Sequence, residues 1–206
     1  YSELSDFFFA WLSPVLKSRY PWFGREDSSH KGEVQHKDPR VFARQLASVF
    51  SECCRVLKDD GVLAFSFHHS RAEGWAAIYE AITNAGLAVV AAHPVHAELR
   101  AASPKTAAKD PISLDAILVC KKRNPVSATQ LDQRAIVNRS TVLTNRLLGA
   151  GMSISSADRF VIVASQTLVA LSNVEVDFEV ACNTILQTSK AAQQGAPADA
   201  PKAARP

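Results

Sequence analysis

The chain has 206 residues, 47 % of them hydrophobic and 21 % charged, with a net charge of +3, so it can bury one sizeable core or a core with a small appendage. That weak positive balance permits a polyanionic partner without requiring one, since a dedicated nucleic-acid binder is usually more basic or concentrates its charge on one face, and no apolar run is long enough to span a membrane. The four cysteines show no C-x-x-C spacing, since Cys53 and Cys54 are adjacent and Cys120 and Cys182 stand alone, which predicts reduced, mostly buried thiols in a cytoplasmic protein and excludes a cysteine metal knuckle. The N-terminus has neither the basic flank nor the cleavage site of a signal peptide, and a start at Tyr1 in mid-pattern predicts a fragment of a longer chain.

Ser5 and Asp6 precede the apolar run Phe7 to Leu12, with Val15 and Leu16 following at helical spacing, so either polar residue is a candidate cap for a first helix. Pro14 should kink or divide it. Phe7, Phe8, Phe9 and Trp11 predict a helix that is heavily buried or that also borders a substrate pocket. Residues 18–37 read as a long surface connection with Pro21, Gly24, Gly32 and mixed charges. Asp38 and Pro39 then supply a cap and a first-turn proline for a second helix, whose apolar face is Phe42, Leu46, Val49, Phe50, Cys53 and Val56 or Leu57.

The stretch RVLKDDGVLAFSFHH, Arg55 to His69, reads as a helix end, a turn at Asp59, Asp60 and Gly61, and a strand from Val62 to Phe67. The strand is apolar on both faces, which predicts a sheet covered by helices on both sides. His68, His69 and Ser70 follow at its carboxyl end, where working groups gather in open α/β sheets. Arg71 to Ala85 is a third helix with Trp75, Ile78, Tyr79 and Ile82 on its apolar face, stopped at Asn84, Ala85 and Gly86. Leu87 to Val95 is a second strand, with His93 and Pro94 marking an edge or an end. Strand, helix, strand predicts a right-handed parallel crossover. Residues 98–112 form a polar loop, and Ser113 to Lys122 a third strand, reached without a helix and so antiparallel to the second in a hairpin-like pair at the edge of the sheet.

The run YSELSDFFFAWL, then RVLKDDGVLAFSFHHSRAEGWAAIYEAITNAGLAVVAAHPVHAEL, then SLDAILVCKKR resembles the C-terminal half of the catalytic domain of adenine-specific DNA methylases that carry an N-terminal domain of unknown function. The resemblance covers about residues 1–123 and is weaker around Asp158 to Ser172. It implies an α/β fold: the C-terminal part of a class I methyltransferase (Rossmann-like) sheet with an antiparallel last strand. It also implies methyl transfer from S-adenosylmethionine to the exocyclic amine of adenine in DNA, with the base extruded from the duplex. In that family an Asp-Pro-Pro-Tyr motif just before the segment similar to Tyr1 to Trp11 holds the amine, and a glycine-rich turn after the first strand holds the cofactor. This chain contains neither, because Gly149, Ala150 and Gly151 follow a helical run. Alone it should not methylate anything, and the missing half would come from upstream or from a partner subunit.

The resemblance places Tyr1, Ser2, Ser5 and Asp6 beside the target base, with a helix cap as the alternative role of Asp6. His68 and His69 lie next to the implied active site, one facing the pocket and the other the flank of the sheet, as side chains alternate. Hydrogen bonding to the loop that holds the base suits them better than a metal, for which no third ligand has suitable spacing. Trp75 reads as core. Arg100, Lys105 and Lys109 are candidates for DNA phosphate contacts, or members of a solvated loop.

After residues 1–123 the chain changes character. Asn124, Pro125 and Val126 suggest a boundary, and residues 124–190 a small, mainly helical appendage with helices at Ala128 to Leu148, Asp158 to Leu171 and Val176 to Ser189. Residues 191–206 should be a disordered tail. Two functions of different class follow. A methyltransferase part predicts an unpaired sheet edge and an exposed apolar face where absent strands belong, whereas a non-catalytic module binding DNA or a methyltransferase partner predicts a closed unit.

Overall fold

The structure, a computed structural model, describes residues 2–24, 26–28, 32–97, 112–123, 131–172 and 174–194. It contains two compact units, residues 1–36 and 37–206.

The first unit is α1 (Ser2–Arg19) with the loop that follows it. Pro14 lies inside α1 without ending it. The helix is already formed before Phe7, so Asp6 is not its cap; its carboxylate instead accepts the backbone N–H of Ser28 at 2.9 Å and the Ser28 hydroxyl. The loop thereby folds back along the helix and sets Phe23 against Phe9, ring centroids 5.9 Å apart. The expected burial of the aromatic run fails on the other side of α1. Phe7, Phe8 and Trp11 are 64, 62 and 73 % exposed, because the described loop covers only the side that carries Phe9 and Ser13.

The second unit opens with α2 (Pro39–Val56), where the Asp38 carboxylate accepts the Arg40 N–H at 2.8 Å and Pro39 fills the first turn. Phe42, Leu46 and Phe50 turn inward, while Val49 and Val56 stay exposed. The turn that follows is tight: Gly61 donates to the Lys58 carbonyl at 2.9 Å, and a Cβ there would press on the Leu57 side chain at 2.8 Å. Then come β1 (Leu63–Phe67), α3 (Ala72–Asn84), β2 (Leu87–His96) and β3 (Leu114–Lys122).

The three strands form one sheet in the order β1-β3-β2, with β3 antiparallel to both neighbours. β1 and β2 therefore run in the same direction without touching, and the third strand is central rather than an edge. Pairing strands by their order in the chain misplaces it; the long connection from 97 to 113 lets β3 return between the other two. Leu114, Ala116, Leu118 and Cys120 of β3 are all buried, so this strand gains most from partners on both sides.

Only one sheet face is covered among the described residues. β1 alternates, with Leu63, Phe65 and Phe67 turned to the core and Ala64 and Ser66 exposed, against the prediction of helices on both faces. On the open face of β3, Asp115, Ile117 and Val119 are half-buried.

Three more helices complete the unit: α4 (Gln133–Gly149), α5 (Ser156–Leu171) and α6 (Phe178–Gln194). α5 resolves the helix-or-strand ambiguity in favour of helix, and its start is a capping box in which Ser155 and Asp158 bond each other's backbone N–H. Among the described residues, those of α3, α5 and α6 share one apolar core with the sheet, and the compact units divide at 36/37. The suggested boundary at Asn124, Pro125 and Val126 lies outside the described residues. α6 continues through residues 191–194, where the tail was expected to begin; 195–206 lie outside the described residues.

Candidate functional site

The carboxyl end of β1 lies beside the start of β3, since Phe67 pairs with Ala116. One step further, the His68 Nδ1 meets a carboxylate oxygen of Asp115 in a hydrogen-bonded pair across the two strands. Both side chains are partly exposed and continue the open face of the sheet beyond Ala64 and Ser66. With Nδ1 engaged, the ring's other nitrogen, Nε2, is the one left to meet a ligand. Asp115 is a site residue that the sequence reading missed; only the correct strand order brings it opposite His68.

His69 turns the other way, in line with the predicted alternation. Its Nδ1 lies 3.1 Å from the Arg71 backbone nitrogen and 3.0 Å from the Arg71 carbonyl, and its ring stacks at 6° to that of Phe67, centroids 6.4 Å apart. Trp75 is core as expected, fully buried, edge-on to Phe67, with its indole N–H donated to the His69 carbonyl at 2.9 Å. His68 thus faces the open side from a corner fixed to α3.

Ser5 and Asp6 belong to the first unit, where their partner is Ser28; the Ser5 and Ser28 hydroxyls are 2.6 Å apart. The Ser28 hydroxyl and backbone N–H hold the Asp6 carboxyl below its usual value of 3.8. Ser2 lies in the first turn of α1, its side chain outside the described residues, as are Tyr1, Arg100, Lys105 and Lys109. Among the described residues no cluster of three His, Cys, Asp or Glu could hold a metal ion.

Gly149, Ala150 and Gly151 are not a cofactor-holding turn. Gly151, at φ +81°, donates to the Leu148 carbonyl at 3.0 Å while Met152 donates to Leu147 at 3.1 Å, which is a helix stop for α4 and not a strand-to-helix turn. A glycine-rich strand-to-helix turn of the kind that holds S-adenosylmethionine is not found among the described residues.

Three further polar side chains, Asp158, Ser172 and Gln166, were given no role from the sequence. Asp158, fully buried, accepts the Ser113 N–H and hydroxyl at 2.7 Å each and the Leu114 N–H at 3.0 Å, tying α5 to the entry of β3. Burial pushes its carboxyl up, but the hydrogen bonds from Ser113 and Ser155 outweigh this and leave it below the usual 3.8. On β2, the Val89 N–H donates to the Ser172 hydroxyl at 2.9 Å and the Ala92 carbonyl accepts from the Gln166 amide at 2.9 Å. Compared with family models, with curated proteins and with solved structures, the chain finds no match in any of the three.

Proposed function

We propose that this chain is the C-terminal part of an adenine-specific DNA methyltransferase, in which a methyl group passes from S-adenosylmethionine to the exocyclic amine of adenine, and that the cofactor and catalytic motifs lie in a part it does not contain. The observation that carries this reading is the unfinished sheet. β3 exchanges its backbone groups with β2 through Asp115, Ile117 and Val119, as the Ala97 N–H to Ser113 bond (2.9 Å) sets the phase, so Leu63, Phe65 and Phe67 face β3 and Ala64 and Ser66 direct theirs outward. No strand pairs with that outer edge among the described residues, and the adjoining face carries half-buried Ile117 and Val119. A last strand antiparallel to its neighbours also accords with the class I fold.

In this reading the missing half, upstream in the same product or in a partner subunit, completes the sheet at β1. His68, oriented by Asp115, then stands at the seam, where its Nε2 hydrogen-bonds the loop that holds the extruded base. The test is to sequence the DNA upstream of the Tyr1 codon in its natural source. An in-frame Asp-Pro-Pro-Tyr a few codons before Tyr1, with a glycine-rich strand-turn-helix further up, supports the reading, and cofactor binding is then measured on the full product. A start codon or unrelated sequence overturns it in favour of a non-catalytic module binding DNA or a methyltransferase partner.

A further inference from the structure

We propose that Gly74 is a positioning residue for His68, acting through the ring of His69. Gly74 sits in the first turn of α3, and the His69 imidazole occupies the space where a side chain at that position would begin. A Cβ built there overlaps the base of the ring, Cγ and Nδ1, and comes within 2.8 Å of Cδ2. The overlapped atoms are those nearest the backbone, so a small swing of the ring tip gives no relief. The whole ring has to leave, and with it go the Nδ1 contact to the Arg71 backbone and the stacking on Phe67.

His68 lies between the two residues that this stacking joins. Its backbone is held on one side by Phe67 in the β1 ladder and on the other by the His69 carbonyl, which accepts the Trp75 indole N–H at 2.9 Å. The direction in which His68 leaves the chain, toward Asp115 and the open face, is therefore set by a corner that closes only when residue 74 has no side chain. The use of that direction, presenting His68 to a base-holding loop, rests on the proposed function; the positioning itself does not.

Gly→Ala in a helix interior ordinarily raises the folding equilibrium constant about two- to fivefold. Gly74→Ala in this chain is expected to do the reverse, lowering it about tenfold in urea unfolding, and to shift the His68 ring signals in NMR spectra. His69→Ala/Gly74→Ala should be at least as stable as His69→Ala alone, because without the ring the new methyl group has nothing to displace. The proposal is overturned if Gly74→Ala is as stable as the parent, if its stability falls while the His68 signals stay in place, or if the double variant loses as much as the two single changes together. All measurements use the 206-residue chain without DNA or cofactor, so failure of the methyltransferase reading leaves their outcome intact.

Discussion

At the scale of single residues, Asp158 has the largest predicted consequence. Four hydrogen bonds from Ser113, Leu114 and Ser155 converge on one buried carboxylate. Asp158→Ala leaves those donors without an acceptor and should cost about 2–4 kcal/mol in urea unfolding. Its carboxyl titrates below 3.8 in the folded state, so its stabilisation is fully present above that value and is lost as pH falls through the lower, folded one. An Asp158→Asn variant should therefore show a shallower loss of stability with acid than the parent. The thiols offer a second check, because burial pushes Cys120 up to about 12, whereas Cys53 and Cys54 are partly exposed. A thiol reagent at neutral pH should modify Cys53 and Cys54 in the folded chain and reach Cys120 only after unfolding.

At the scale of elements, α5 does more than fill space. The Arg123 N–H to Gly86 bond fixes the phase of the β2 ladder, so that Val89 N–H points away from β3; after the bulge between Val89 and Ala91, the Ala92 carbonyl points the same way. Ser172 and Gln166 satisfy these two groups and close an edge that would otherwise invite another strand. Ser172→Ala should cost about 1–2 kcal/mol and speed hydrogen exchange at the Val89 amide. α2 and α3 were legible in the sequence, since their apolar residues recur at spacings of three and four and Asp38, Pro39 and Gly86 mark their ends. The strand order was not, because backbone pairing has no signature in side chains one strand at a time. Half of the candidate site went unread with it: His68 could be picked out as the residue ending an apolar strand, whereas Asp115 gains meaning only beside it.

At the scale of the whole molecule, apolar surface is distributed unevenly. Trp11 and Trp22 are 73 and 79 % exposed, and Trp75 is fully buried. Acrylamide should quench two of the three indoles readily in the folded chain and the third only in denaturant, and a chain that shields all three has covered the surface of its first unit. The aromatic run of α1 could be read only as core or as a pocket border, because composition reports how much apolar surface a helix carries, not whether anything lies against it.

The central place of β3 also governs when the sheet can exist during synthesis. Leu63 waits for Cys120 and Leu87 for Lys122, so until the segment from Leu114 to Lys122 has left the ribosome neither flanking strand has its β3 partner. Edge closure comes later still, with Gln166 and Ser172. A nascent chain arrested before β3 should be open to protease and bound by chaperones, and one arrested well past Ser172 should resist both. For this topology the last strand to be made is the one that commits the fold.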